Sequence, residues 1–217
     1  MKRTARSVAL GAITLGLALL PTPALCLPIL SEVFYDATGS DDGQSFVELA
    51  GAPGTNLDGF VVEGVNGANG AVTVSVVLAG VIPADGLFVA ADALADGTSA
   101  VVGADLLANF DFQNGPDSIV LRNAAGVVDA VGYGVFGSGE FFFGEGAPAP
   151  DAPPGSSLAR RFANIDTGDN FSDWRVLDRP TPGEAPRSAI PEPSAAVLLA
   201  GGLTLLAHAS RRRAACR

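Results

Sequence analysis

The chain has very few of the side chains that do most enzyme chemistry. Its 217 residues include one histidine, two cysteines, one tryptophan and one methionine. The histidine, His208, and the single lysine, Lys2, stand near opposite ends, so everything between Leu27 and Ala189 lacks both. The commonest general base and the imidazole metal ligand are therefore missing there. A Ser-His-Asp triad cannot be assembled, and no lysine is available for a phosphate-cradling glycine loop. Cys26 and Cys216 lie at the two margins, which rules out a disulfide within the middle although an oxidising compartment would permit one. Positive charge is equally short. Between Leu27 and Ala189 six arginines face 22 acids, a net charge near −16. A nucleic acid needs cations against its phosphates, so it is excluded as a partner. Such a charge suits solubility and a cation-rich exterior.

The two ends are organised differently from the middle. Lys2, Arg3 and Arg6 precede an apolar run from Val8 to Leu20 and then Pro21-Thr22-Pro23-Ala24-Leu25-Cys26. A basic start, a short apolar run and a small-residue exit describe a secretory signal peptide over residues 1–26, with cleavage after Ala24 or Cys26. Leu25 stands where lipidation of Cys26 would need a small residue, and Pro21 and Pro23 argue against a retained anchor helix. At the other end a linker, 187–193, carries Pro191, Glu192 and Pro193. Residues 194–210 have no formal charge, and Arg211, Arg212 and Arg213 open a basic tail, 211–217. The uncharged stretch is just long enough for a membrane helix, and the arginines would hold its end on the cytoplasmic side. This Pro-Glu-Pro motif, apolar helix and arginine cluster resemble the PEP-CTERM sorting signal. The resemblance implies an exosortase-like processing enzyme as partner, transient membrane anchoring through the C-terminal helix, and export to the envelope or surface of a Gram-negative bacterium that makes exopolysaccharide.

The middle, 27–186, is long enough for one domain with a real core. Short apolar runs alternate with turn residues, the pattern of an all-β antiparallel sandwich. The expected strands are Ile29–Tyr35, Ser45–Ala50, Phe60–Val65, Ala71–Leu78, Gly86–Ala91, Ser118–Arg122 and Val127–Tyr133. Turn signals at Asp42-Gly43, Pro53-Gly54, Asn66-Gly67, Asn69-Gly70 and Asp85-Gly86 fall between them. Alternation places Val47 and Leu49 on one face and Phe46 and Glu48 on the other. The plainest hairpin joins Ser118–Arg122 to Val127–Val131. Ala91–Leu107 is ambiguous between strand and a helical turn. Gly132–Pro154 is rich in glycine and proline and reads as a long loop. Within it, alternation of Phe141, Phe142 and Phe143 buries either the outer two or the middle one; exposed phenylalanines would mark a contact site.

Several of these segments, in order, resemble a lamin-tail domain: Ser31-Glu32-Val33, Phe46-Val47-Glu48-Leu49, Leu57-Asp58-Gly59, Asp117–Leu121, Val128-Asp129 with Tyr133, Ser157–Arg160, Asp173-Trp174 and Thr181-Pro182-Gly183. The resemblance spans nearly the whole middle and implies an immunoglobulin-like sandwich. The stretch Gly134–Pro154 departs from a compact version of that pattern. Trp174 is expected in the core. Of Arg160 and Arg161 one should point inward, to a carboxylate such as Glu48 or Asp173.

No cofactor is required by these residues. Calcium is the one metal they would suit, since hard cations take oxygen ligands. Two groups qualify: Asp36, Asp41 and Asp42; and Asp166, Asp169 and Asp173 with Asn170. Neither has EF-hand spacing, and aspartates in turns often serve backbone donors instead. The reading is therefore a non-catalytic binding or structural module whose partner is an extracellular polysaccharide or an envelope protein. The alternatives are a calcium-dependent adhesion or carbohydrate-binding module and a hydrolase working with carboxylates alone, which would need two of them about 5–9 Å apart across a cleft.

Overall fold

The computed structural model describes residues 27–186. Residues 1–26, where a signal peptide is expected, the Pro191-Glu192-Pro193 motif, the apolar stretch 194–210 and Arg211–Arg213 lie outside the described residues. Within them no helix is long and apolar enough to cross a membrane.

Ten strands and one helical turn follow in chain order: β1 Ile29–Phe34, β2 Phe46–Ala50, β3 Val61–Asn66, β4 Val72–Val77, β5 Leu87–Asp92, β6 Leu106–Ala108, β7 Asp117–Asn123, β8 Gly126–Tyr133, β9 Ser157–Arg160, α1 Asn170–Asp173 and β10 Trp174–Leu177. They form a six-stranded sheet, β10-β9-β1-β2-β5-β6, and a four-stranded sheet, β4-β3-β7-β8. The seven expected strands are β1 to β5, β7 and β8, each within a residue or two of its boundary. The expected hairpin is β7–β8, closed at Asn123 and Gly126 and bulged at Leu121/Arg122.

Side-chain alternation decides which face each strand gives to the core. Leu30, Val33, Val47, Leu49, Phe88, Ala90, Leu158 and Trp174 from the larger sheet meet Val62, Val76, Ile119, Leu121, Val131 and Tyr133 from the smaller one in a single cluster. Each fully buried aliphatic or aromatic side chain there contributes about 1.5–3 kcal/mol by leaving water. Val47 and Leu49 face this core as their alternation required. Phe46 points the other way, into a second cluster with Phe34, Val89 and Ala91.

Two expectations need correction. The sandwich is not antiparallel throughout, because β6 pairs in parallel with β5. The connection after β5 carries the chain back along the sheet before it pairs again, and parallel pairing requires such a return. Ala91–Leu107 accordingly holds the end of β5, turns and the start of β6, with no helical turn. The helical turn lies later, at α1.

The outer faces are covered by connections. Val101 and Ala104, from the β5–β6 connection, pack on the Phe34–Phe46 cluster. A strap at Thr181–Gly183 is held by two buried glutamates that sit opposite each other on β1 and β2. Glu32 accepts from Thr181 N–H (2.8 Å), Thr181 Oγ1 (2.7 Å) and Ser157 Oγ (2.6 Å). Glu48 accepts from Ser31 Oγ (2.6 Å) and Gly183 N–H (2.7 Å), so it serves the strap and is not the partner of Arg160. On the other side, the loop after β8 lies on the smaller sheet. Phe141 N–H donates to Gly67 C=O (2.7 Å) and Phe143 N–H to Ser118 Oγ (3.1 Å). Phe142 packs edge-on against Phe136, 5.1 Å between centroids, over Gly132, where any β-carbon would collide with its ring. Phe142 is thus the inward member of the triplet, and Phe141 and Phe143 are half-exposed.

Arg160 is the inward arginine. Its side chain is fully buried and pairs with Asp129 at 2.7 Å and Asp173 at 2.9 Å. Removing one partner of such a pair leaves uncompensated buried charge. Arg160→Met should therefore lower unfolding free energy by about 3–5 kcal/mol in urea denaturation. Arg122→Ala, which breaks the half-exposed pair with Glu63, should cost under about 1 kcal/mol.

Candidate functional site

Two acid-rich places are built by the fold. The first surrounds Arg160 at the end of β9. Its Nε–H donates to Leu30 C=O (2.7 Å), one terminal nitrogen to Asp129 (2.7 Å), and the other to Asp173 (2.9 Å), Asp166 (3.3 Å) and Ile165 C=O (3.3 Å). The guanidinium lies 5.0 Å from the centroid of the Trp174 ring, a favourable cation–π placement. Trp174 is fully buried, as expected, although its indole N–H meets no acceptor among the described residues. Asp129 also accepts Leu30 N–H at 2.6 Å. Burial pushes the Asp129 carboxyl up, and the Arg160 charge and the Leu30 N–H oppose that rise.

The second expected calcium group is absorbed here by protein donors. Asp173 accepts Thr167 N–H and Oγ1–H besides Arg160. Asp166 accepts Gly168 N–H. Asp169 accepts Ala147 N–H (2.9 Å) and Ser172 Oγ–H (2.7 Å). Asn170 takes Gly132 N–H and Glu145 N–H and donates to Ala130 C=O. Carboxylate oxygens of Asp129, Glu145 and Asp166 lie within 4.8 Å of one another, and the positive charge that faces this trio is Arg160 itself.

Glu145 had no signal in the sequence beyond its place in the glycine-rich loop. Its Oε2 is buried and has no hydrogen-bond partner among the described residues. Burial, reinforced by Asp129 and Asp166 and opposed by Arg160, pushes its pKa up to about 7.

The second place is an open cleft of about 450 Å³ at one end of the sandwich, lined by Asp41, Asn66, Asp111, Gln113, Asn114, Asp117 and Glu140. A neighbouring recess of about 270 Å³ shares Asp41 and Asp111 and adds Asp42 and Asp92. The first expected calcium group thus splits: Asp41 lines both hollows and Asp42 the second. Asp36 stands nearby, pushed up by burial and by Asp41 and Asp151, with an Asn114 hydrogen bond opposing.

Buried groups hold the cleft in shape. Tyr35 and Tyr133 stack in the core with centroids 4.3 Å apart. Tyr133 donates to Gln113 C=O and Tyr35 to Asp151, each at 2.7 Å. Asn66 Nδ2–H donates to Gln113 Oε1 (2.9 Å), and Asp117 accepts Gly67 N–H (2.6 Å). Gly67 lies so close to the Pro116 carbonyl that a β-carbon there would collide with it. The carboxyls repel one another. Burial first, then Asp41 and Asp92, raises the pKa of Asp111; burial, Asp151 and Glu140 raise that of Asp117 against the Gly67 N–H.

Among the described residues no arginine lines either hollow. Carboxylates and side-chain amides accept from hydroxyls and cations, and the amides donate back. The lining therefore suits a polyhydroxylated or cationic ligand and repels phosphate or sulfate. Asp111, Gln113, Asn114, Asp117 and Glu140 were not foreseen as site residues. Comparison with known protein families, curated proteins and solved structures finds no match to this chain.

Glu145 generates a pH prediction. Its folded pKa lies above the unfolded value, so between about pH 4.5 and 7 the folded state holds the extra proton. Its contribution to stability is full below that window and is lost as pH rises through it. Glu145→Gln should therefore match the parent's melting temperature at pH 5 and exceed it at pH 8, measured by thermal unfolding monitored by circular dichroism.

Proposed function

We propose that this chain is an exported, non-catalytic binding and structural module of the cell envelope or surface, with a lamin-tail-like, immunoglobulin-type sandwich delivered by a PEP-CTERM sorting tail. One observation carries the binding half of the reading. The open cleft offers carboxylates and amides, and residues 27–186 provide no imidazole, ammonium or thiol to add covalent or acid–base chemistry. The delivery half rests on the sequence of the ends: the signal-like start, Pro191-Glu192-Pro193, the uncharged stretch after it, and Arg211–Arg213. A neutral, hydroxyl-rich extracellular polysaccharide fits both halves, because sugar hydroxyls match such acceptors and donors and export brings the domain to them.

A second reading, calcium-dependent adhesion, is favoured by one feature: Asp41, Asp42, Asp92 and Asp111 converge on the smaller recess. A carboxylate-only hydrolase is the third and weakest, since most of the cleft acids already accept backbone donors.

Two measurements test the proposal. Full-length chain expressed with an exosortase should lose the mass of everything beyond the Pro191-Glu192-Pro193 region and move to the surface fraction; without exosortase it should keep its full mass in the membrane fraction. Full mass in both hosts would defeat the sorting half. Separately, the double variant Gln113→Ala, Asn114→Ala should retain its melting temperature but lose about tenfold in retention on the host's exopolysaccharide, a loss of about 1.4 kcal/mol. If 1 mM calcium chloride raises the parent's melting temperature by several degrees and Asp111→Asn abolishes that rise, the adhesion reading takes precedence.

A further inference from the structure

The four sheet edges are treated very differently. The β8 edge is closed. Gly134 N–H donates to Ala149 C=O and Ala149 N–H to Gly132 C=O, while Asn170 takes Gly132 N–H and donates to Ala130 C=O. β6 is only three residues long. β10 has four residues and carries Arg175, with Asp178 and Arg179 just beyond it. Short edges and charged edges are the usual guards against strand addition.

β4 has neither guard. It is six residues long, Val72-Thr73-Val74-Ser75-Val76-Val77, and ends its sheet with no strand on its outer side among the described residues. It has no proline and no charge, and it sits in an uncharged run from Gly64 to Ala84, 21 residues in a domain that otherwise bears an acid about every sixth position. One irregularity, opposite Gly64/Val65, lies near its start and leaves Val74–Val77 in regular register. Leu78 N–H donates to Phe60 C=O, so the pair Val62–Val76, two positions in from Phe60–Leu78, is also hydrogen-bonded and the pairs Glu63–Ser75 and Val61–Val77 are not. The backbone N–H and C=O of Ser75 and Val77 therefore point away from β3, towards the open side. Val76 is buried in the core, and Val77 is 67% exposed.

We propose that β4 is the pairing edge for a second copy of this chain, joining two four-stranded sheets into one eight-stranded sheet across a two-fold axis. The charge distribution selects this occupant. Two copies each near −16 repel over most of their surfaces, and β4 is the long edge where they can meet without apposing like charges; the acid across the ladder from Ser75, Glu63, is paired with Arg122 at 2.5 Å. Antiparallel pairing is self-complementary. An axis through Ser75 sets Val74 of one copy opposite Val76 of the other, a β-branched cross-strand pair within the regular stretch.

The test uses the full-length chain in mild detergent, with analytical ultracentrifugation and amide hydrogen exchange from about 1 µM to 1 mM. A monomer–dimer equilibrium is expected, with the Ser75 and Val77 amides slowing at least tenfold as concentration rises. Val77→Asp adds a carboxylate from each copy to the otherwise uncharged seam and should raise the dimer dissociation constant at least tenfold with an unchanged melting temperature. Val127→Asp, at an exposed valine on β8, should leave the dimer intact and serves as the control. A chain that stays monomeric at 1 mM, a dimer indifferent to Val77→Asp, or Ser75 and Val77 amides that slow only when a foreign protein is added would overturn the proposal.

Discussion

The contact between Arg160 and Asp129 joins the two sheets. Arg160 belongs to β9 of the larger sheet and Asp129 to β8 of the smaller one. Both also bond the main chain of Leu30, one taking its N–H and the other giving to its C=O. Leu30 sits at the irregular point of β1, where the strand ladder alone would leave those groups unpaired, and buried backbone groups without partners are costly. A single ion pair therefore satisfies the bulge, fixes the sheet-to-sheet spacing at that end, and sets the guanidinium on Trp174. Buried pairs of this kind are weak sources of net stability but are expensive to break. That asymmetry explains how a largely apolar core accommodates the group.

The same logic recurs around the rim. A strongly acidic domain must put its carboxylates somewhere, and here many are structural acceptors. Glu32 and Glu48 hold the Thr181–Gly183 strap, Asp92 takes Gly43 and Phe110 N–H, and Asp105 takes Val89 N–H. Acids used this way have part of their accepting capacity committed to the fold. At one end of the sandwich Asp41, Asp111, Asp117 and Glu140 also face an open cleft in which no basic residue stands among the described residues, with Asp41, Asp117 and Glu140 each accepting one main-chain N–H as well. Glu145 is the exception, a half-buried carboxyl beside like charges whose pKa is pushed up to about 7.

Strand positions were legible because turn residues punctuate the chain and alternation is clean: seven of the ten described strands, the β7–β8 hairpin and the inward Val47 and Leu49 follow from those two signals, while the core place of Trp174 was expected from residue type alone. β6 and β10 were not legible. β6 is three residues long and pairs in parallel, so nothing local marks it. β10 follows a four-residue helical turn and owes its conformation to pairing with β9. The site was read less fully. Asp41 and Asp42 were marked as oxygen ligands by their spacing, but Asp111, Gln113, Asn114, Asp117 and Glu140 come from other connections and converge only through Tyr133 and the Asn66–Gly70 turn.

The amino-acid sequence by itself determined the class of the domain, its acidity, the exclusion of histidine- and thiol-based chemistry, and the motifs at the ends, because each depends on residue type and short-range order alone. The tertiary structure decided which acids hold the fold and which of them also face a cleft, which arginine is buried, and which sheet edge is left open. Those outcomes depend on hydrogen bonds and burial between segments as far as 149 residues apart, as in the bond from Thr181 to Glu32, and no local pattern encodes a pairing at that distance.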